Sequence, residues 1–507
     1  MAVKQAEEKR LIVENLDENK TYLNDMLGIG VNFDIGLHEF SVGRTRLLLY
    51  YINGFANDNI VTQVRRDLND LRERDMPADV FEHLYHKYIP YYQMTKIETA
   101  NEFIDKLLVG QVGLIIEGAK SAILMDAKIL PTRTPEEPDT ERIVRGAHDG
   151  FTETLVINTV LTRRRIRDER LRFEIIQVGK RTKTDVAIAY IKDVANKELI
   201  EKLRDRLQRI DIDGIPMAEK TVEEFIIGKT FNPFPLVRYT ERPDVAAVHL
   251  LEGHVLIYVD TSPSVMITPA TYFHHVQHAE EYRQTPVVGA YLRWVRFFGI
   301  FASVFLLPVW LLLAMNKWMI PEALDFIGIK KTGSIPLLAQ FLMAEVGLDL
   351  MRMAAIHTPS PLSIAMGLLA AILVGEVAIN VGLFAPEVIL YLAVAAVGMY
   401  ATPSYELSLA NRLVRLFLIL MVGFFSTTGL MIGLLVILVG LAATRSLDTP
   451  YLWPFIPFNF KGFKDILIRM AVPMKNNRPS IVRSTNSSKQ YYILTTETAP
   501  IVKCALL

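Results

Sequence analysis

The chain is 507 residues long, 51% hydrophobic and 22% charged, with 55 basic and 55 acidic side chains and a mean hydropathy of +0.24. The balance hides a division: residues 1–290 carry 38 Lys and Arg against 45 Asp and Glu, and residues 291–507 carry 17 against 10. The first part is charged throughout and the second has long runs almost free of charge. That excludes a simple soluble enzyme and a disordered chain, and argues for a soluble N-terminal region joined to a membrane-embedded C-terminal region.

Residues 1–30 read as a charged helical leader without the apolar core of a cleavable signal peptide. The first apolar span is therefore expected to act as an internal anchor, leaving the N-terminal region in the cytoplasm. Residues 31–130 form a first α/β subdomain. Its strands are expected at 46–51 (RLLLYY), 114–117 (LIIE) and 122–127 (AILMDA), with helices over 57–74 and 99–108. Residues 131–141 (PTRTPEEPDTE) hold Pro and charge but no large apolar side chain, and read as a linker. A second α/β subdomain follows over 142–290. Helices are expected over 151–167, 197–209 and 272–282, and strands over 185–191 (DVAIAYI) and 255–259 (VLIYV). No internal repeat is evident.

The membrane domain is expected over 291–445. Residues 297–315 are free of charge, long enough at about 1.5 Å per residue to cross an apolar layer of about 30 Å. Further spans are expected at 362–384, 387–401 and 416–443, in all an α-helical bundle of four to five transmembrane helices. Tryptophans and tyrosines such as Trp294, Trp310 and Tyr400 stand near the ends, as an interfacial belt requires. Small residues from Gly367 to Gly375 and from Ala393 to Gly398 allow close helix packing. Residues 335–356 are apolar on average but charged, and read as a partial span. The tail, 446–507, is basic and suits the cytoplasmic face. The positions of Arg412 and Arg415 conflict with that placement, because they favour five crossings over four.

Three charges of the partial span, Glu345, Asp349 and Arg352, fall at i, i+4 and i+7, on one helical stripe. Each charge at a bilayer centre costs roughly 2.5–3.5 kcal/mol on insertion scales, so the stripe should face protein or water. It reads either as the lining of an ion path or as an Asp349–Arg352 pair that neutralises itself and serves packing. Glu376, alone in its span, reads either as a pore or proton site or as an interhelical hydrogen bond to a residue such as Asn380 or Ser404.

Elsewhere the residues favour structural roles. His274, His275 and His278 lack the H-E-x-x-H pattern of a zinc protease and read as a polar helix ahead of the membrane. The single cysteine, Cys504, excludes an intramolecular disulfide and a cysteine-rich metal site. Arg163, Arg164, Arg165 and Arg167 sit in an acidic region without interleaved aromatics. They read as a solvated face, or as a contact with lipid phosphates or a neighbouring subunit, and not as a nucleic-acid site. No nucleotide-binding glycine loop and no G-x-S-x-G elbow occurs, so no cofactor, no metal and no catalytic set is expected.

Residues 142–165 (RIVRGAHDGFTETLVINTVLTRRR) resemble the R-G-x-x-x-G-F-x-E-x-x-x-x-N stretch of the GerA family, the A subunits of spore germination receptors. The resemblance runs on through 179–191, 210–214 (IDIDG), 232–244 (NPFPLVRYTERPD) and 251–260, over roughly residues 20–475. Residues 389–415 resemble a sporulation branch of that family. The resemblance implies a multi-pass protein of the spore inner membrane, its two α/β subdomains on the core side. It implies a homo-oligomer, a pentamer, around a path for monovalent cations, with other integral membrane germination proteins as partners. Arg145, Gly146, Glu153 and Asn158 match the motif and are expected to be structural or at subunit contacts. One departure stands out. Nutrient-receptor subunits carry an R-E-A-like run in the polar helix, whereas residues 350–354 read LMRMA, so direct nutrient gating does not carry over. The rival to a channel-forming subunit is a non-conducting oligomeric scaffold that clusters or regulates germinant receptors.

Overall fold

A computed structural model describes residues 10–69, 80–88, 93–129, 141–228, 231–330, 333–357 and 377–489. It divides into an α/β unit, drawn from residues 1–229, 239–269 and 470–507, and a helical unit, drawn from 230–238 and 270–469.

The first subdomain of the α/β unit contains α1 (Leu16–Leu27), β1 (Ile35–Val42), β2 (Thr45–Ile52), α2 (Asp58–Asn69), the short α3 (Val80–His83), β3 (Met94–Ile97), α4 (Ala100–Leu108), β4 (Val112–Ile116) and β5 (Ala122–Met125). The strands form one sheet in the order β1-β2-β4-β5-β3, each neighbouring pair antiparallel. Side chains alternate between faces along a strand. Leu48, Tyr50, Ile115 and Leu124 therefore pack with α1 and α4 on one face. Leu47, Leu49, Leu114 and Ile116 pack with Val64, Leu68 and Phe81 on the other. The central strands are covered on both sides, which is why they read as continuous apolar runs. The segment expected as a leader is part of this core: Ile12, Leu16, Leu23 and Leu27 are all buried in it.

The second subdomain contains α5 (Leu155–Arg163), β6 (Leu171–Val178), β7 (Thr184–Ile191), α6 (Lys197–Gln208), α7 (Ala218–Ile227), β8 (Arg238–Thr240), α8 (Pro243–Glu252), β9 (Val255–Val259) and β10 (Val265–Thr268). Its strand order, β6-β7-β9-β10-β8, repeats that of the first subdomain position for position. The duplication escaped the sequence because few identities survive. They are the Y-I-x-x-x-A-N after β2 and β7 (Tyr51 to Asn57, Tyr190 to Asn196) and the L-L-x-G-x-V entering β4 and β9 (Leu107 to Val112, Leu250 to Val255). The expected linker lies almost wholly outside the described residues.

The two subdomains are locked by buried polar groups. Arg163 of α5 reaches Asp34 ahead of β1, with Nε to Oδ2 at 2.5 Å, and both side chains are sealed from solvent. Asn32 accepts the Phe173 N–H at 2.8 Å and donates to the Leu27 carbonyl at 2.6 Å. Within the second subdomain, the half-buried Arg165 holds Asp149 through two bonds of 2.6 and 2.7 Å. The arginine run is thus only partly a solvated face; Arg164 and Arg167 are exposed.

The helical unit contains α9 (Ala279–Arg283), α10 (Pro286–Met315), α11 (Leu337–His357), α12 (Pro386–Tyr400), α13 (Tyr405–Ala443) and α14 (Phe460–Leu467). Two of these, α10 and α13, are long and apolar enough to cross a membrane by length and composition. The continuous helix expected over 272–282 is instead a 3-10 turn at Tyr272–His274 followed by α9. The span expected at 416–443 is not one helix. Ser426 has φ 54° and ψ −130°, and the chain reverses there. Gly433 after the turn packs on Leu418 and Met421 before it, so α13 is an antiparallel hairpin of two arms, 405–425 and 427–443. Hydropathy averages over both arms and cannot register the reversal. The span expected at 362–384 lies largely outside the described residues.

Contacts fix the direction of each helix. Asn316, at the end of α10, donates to Ser426 Oγ at the hairpin tip at 2.8 Å. Gln340, at the start of α11, accepts the Ala385 N–H just before α12 at 2.8 Å. At the other end Arg352 of α11 meets Met399 of α12 and the ring of Tyr405, which opens α13. α11 and α12 therefore run in the same direction, and the first arm of α13 runs opposite to both.

Candidate functional site

The charged stripe of α11 sits where α10, α11 and α13 converge. Glu345 is fully buried. Arg415, one turn beyond Arg412 on α13, places Nε 2.7 Å from Glu345 Oε1 and Nη2 2.8 Å from Oε2. Arg412 Nη2 lies 3.2 Å from Oε2 and also donates to the Glu345 backbone carbonyl. Arg415 Nη1 donates to the Ser303 carbonyl of α10 at 2.8 Å. One acid and two guanidiniums thereby tie three helices together. A carboxylate held by two forks gains charge-assisted bonds that offset its removal from water.

Asp349, the next residue of the stripe, pairs with Arg412, and its side chain is 42% exposed. Its partner is not Arg352, as the sequence suggested. Arg352 points its guanidinium at the Met399 sulfur (3.0 Å) and over the Tyr405 ring (5.9 Å). Two acids and two arginines balance in the cluster, and Arg352 adds one positive charge beside it. Arg412 and Arg415 were read in the sequence only as marks of orientation. Their i, i+3 spacing at the head of an apolar helix was the signal that they face inward together. Glu376 lies outside the described residues.

A second cluster has the same form. Glu281 of α9 is buried between Arg293 and Arg296 of α10, with Arg293 Nε 2.7 Å from Oε2. Arg293 Nη1 also donates to the carbonyls of Asp465 and Ile466, both at 2.9 Å. These residues anchor the start of α10 to α14.

The histidines serve structure. His274 Nδ1 accepts the Thr271 N–H at 3.1 Å, and His278 Nδ1 accepts the Glu280 N–H at 3.2 Å. His275 is buried against Tyr451. Burial and then the Arg238 cation depress its pKa to about 3, with the Pro235 carbonyl acting in the opposite sense. Among the described residues no group of three metal-ligating side chains converges.

The motif residues divide. Asn158 is buried and closes the loop before α5, accepting the Thr152 N–H at 2.7 Å and donating to the Thr152 carbonyl at 2.6 Å. Gly146 has φ 140°, a conformation that excludes most side chains. Arg145 and Glu153 are exposed.

The profile described as Bacillus/Clostridium GerA spore germination protein matches residues 21–481. Stage V sporulation protein AF of Bacillus subtilis (strain 168) is 50% identical over 484 residues, 96% of this chain and 98% of that protein. Spore germination protein KA of the same strain is 27% identical, over 96% of this chain and 90% of its own. Spore germination protein GerLA of Bacillus cereus is 28% identical, over 94% and 97%. Among solved structures, the N-terminal domain of the A subunit of the Bacillus megaterium spore germinant receptor GerK3 aligns with a TM-score of 0.42 and 27% identity, covering 52% of this chain and 98% of that one. By the extent of the profile match and of the 50% identical relative, the chain belongs to the GerA family of spore germination proteins.

Proposed function

We propose that the chain is a non-enzymatic, membrane-embedded subunit of a spore germination assembly. It assembles as a homo-oligomer, a pentamer, in the spore inner membrane, with other integral membrane germination proteins as partners, and forms a path for monovalent cations. The observation that carries this reading is Asp349: a carboxylate paired with Arg412 yet left 42% exposed on the charged stripe of α11, beside a clamp that seals Glu345. An acid in that position marks a water-filled path or a partner that supplies one. Glu345, enclosed by two arginines, holds the helices that carry Asp349 and does not itself meet ions. Glu376 is the other acid proposed for the path.

The α/β unit stays on one side. The chain leaves that unit at residue 269 and returns to it at residue 470, which supports an even number of crossings. The hairpin reversal at Ser426 adds a crossing, so residues 335–356 can cross while the basic tail remains on the core side. Exposed Phe455, Phe458, Phe460 and Ile468 around Lys461 and Lys464 suit the membrane interface.

Reconstitution of the purified protein in liposomes, with potassium and sodium flux as the readout, tests the reading. Asp349→Asn should change flux while leaving the oligomer intact. A stable ring that passes no ions, alone or with co-purified partners, favours the scaffold reading, for which the complete neutralisation of Glu345 is the supporting observation.

A further inference from the structure

The two α/β subdomains repeat one another down to single hydrogen bonds. After β2 the N–H groups of Phe55 and Ala56 both donate to the Ile52 carbonyl, at 3.1 and 3.0 Å; after β7 those of Val194 and Ala195 donate to the Ile191 carbonyl, at 3.0 and 2.9 Å. One residue on, the side chains of Asn57 and Asn196 accept the first N–H groups of α2 and α6. Gly110 and Gly253 enter β4 and β9 with φ of 104° and 102°. A Cβ on Gly110 would touch Phe55, and one on Gly253 would touch Val194. Phe55 therefore corresponds to Val194, and Gly110 to Gly253.

The repeat differs in what fills one carbonyl. In the first subdomain Phe55 O accepts the Ile129 N–H at 2.7 Å, and the Ala127 carbonyl accepts the Asn57 N–H at 2.9 Å. The first subdomain thus closes with the segment that follows its own last strand. In the second, the chain after β10 departs into the helical unit. Val194 O accepts instead the Thr485 N–H, at 3.0 Å, from the far end of the chain. Thr485 Oγ1 donates to the Asp193 carbonyl at 2.6 Å, Arg478 Nε donates to the Leu251 carbonyl at 2.7 Å, and Lys489 pairs with Glu252 at 3.3 Å. The docking piece is shaped in advance. The Arg478 N–H bonds to Ser487 O at 2.9 Å and the Lys489 N–H to Asn476 O at 2.8 Å, while Ile481 and Val482 are buried.

We infer that the second subdomain carries an acceptor site for one extended segment, at Asp193–Val194 and Leu251–Gly253, and that residues 476–489 of this chain are its occupant. The helical unit is then an insertion within the second subdomain, between β10 and its closing segment. The tail is a strap: a pull on the chain at its exit from the helical unit acts on the Val194 and Leu251 carbonyls. When the strap leaves, those acceptors open. This inference is independent of whether the helical unit conducts ions.

Hydrogen exchange of the full chain in detergent micelles tests it. Thr485→Pro removes both donors of the residue, its N–H to Val194 and its hydroxyl to Asp193. Exchange should rise at least about tenfold over residues 192–196 and 249–254 while residues 53–57 and 106–111 stay protected. A synthetic peptide of residues 476–489, added in trans, should restore protection; the same peptide with Thr485→Pro should not. If Thr485→Pro does not accumulate, Arg478→Ala gives the same regional readout through the Leu251 contact. Unchanged exchange, an equal rise in both subdomains, or no rescue by the unaltered peptide would overturn the inference.

Discussion

The α/β unit and the helical unit both bury arginine–carboxylate pairs, and they build them differently. Asp34 has one arginine, Arg163, whose Nη2 also donates to the Leu171 carbonyl at 3.2 Å. In the helical unit Glu345 has two arginines and Glu281 has two. Each helical cluster also recruits backbone carbonyls from another segment, Ser303 in one case and Asp465 with Ile466 in the other. Asp34 and Arg163 are sealed from solvent between two subdomains and answer one another; among apolar helices every further donor and acceptor must also find a partner within the protein. Doubling the arginines also lets one acid bind three segments that are remote in sequence.

The comparison breaks most visibly if Glu345 is removed. Glu345→Ala strands the buried Arg415 guanidinium and leaves Arg412 only Asp349, and the expected loss is about 3–5 kcal/mol, read as a collapse of folded protein in the membrane fraction. Normal accumulation and an unchanged melting temperature would contradict the clamp. Asp34→Ala should cost about 3–5 kcal/mol by the same mechanism, confined to the α/β unit. The double replacement Asp34→Leu with Arg163→Met should recover most of that, since an apolar pair of similar volume can substitute for a single buried ion pair. Failure of the double variant to recover would place Arg163 in a larger network.

His275 sharpens the contrast by pH. Its folded pKa, about 3, lies below the ordinary value of 6.5. An unfolded chain therefore takes up a proton below pH 6.5 that the folded one refuses, and stability falls as the pH drops from 6.5 towards 3. The contribution is about 3 kcal/mol at pH 4. His275→Phe should flatten the acid limb of a stability–pH curve; an unaltered limb would mean that His275 titrates normally. The smallest effect concerns the duplicated caps. Asn57→Ala and Asn196→Ala should each cost about 1 kcal/mol, of like size, because the two residues do the same work in equivalent places.

Much of the α/β unit was legible because its central strands are buried on both faces. Leu47 to Tyr50, Val112 to Ile116 and Val255 to Val259 carry their burial in composition alone. Edge strands such as β1 and β6 mix exposed and buried residues and gave no such signal. The polar stripe on α11 was also visible, since a helical period places Glu345, Asp349 and Arg352 together. Its partners were not. Arg412 and Arg415 lie about seventy residues away, and only tertiary packing brings them to Glu345. The hairpin at Ser426 was hidden for a related reason: both arms are apolar, and the reversal rests on one residue's backbone angles. The closure of the second subdomain by Thr485 joins residues almost three hundred positions apart, beyond any local pattern.

The central claim is that the path runs past Asp349 while Glu345 only holds the helices. Potassium flux through liposomes containing equal amounts of oligomer, unaltered or carrying Asp349→Asn, tests it most directly. The account predicts flux in the unaltered protein and a clear change in its rate or its potassium-to-sodium preference in the variant. Identical flux from both, or none from either with the ring intact, would contradict it.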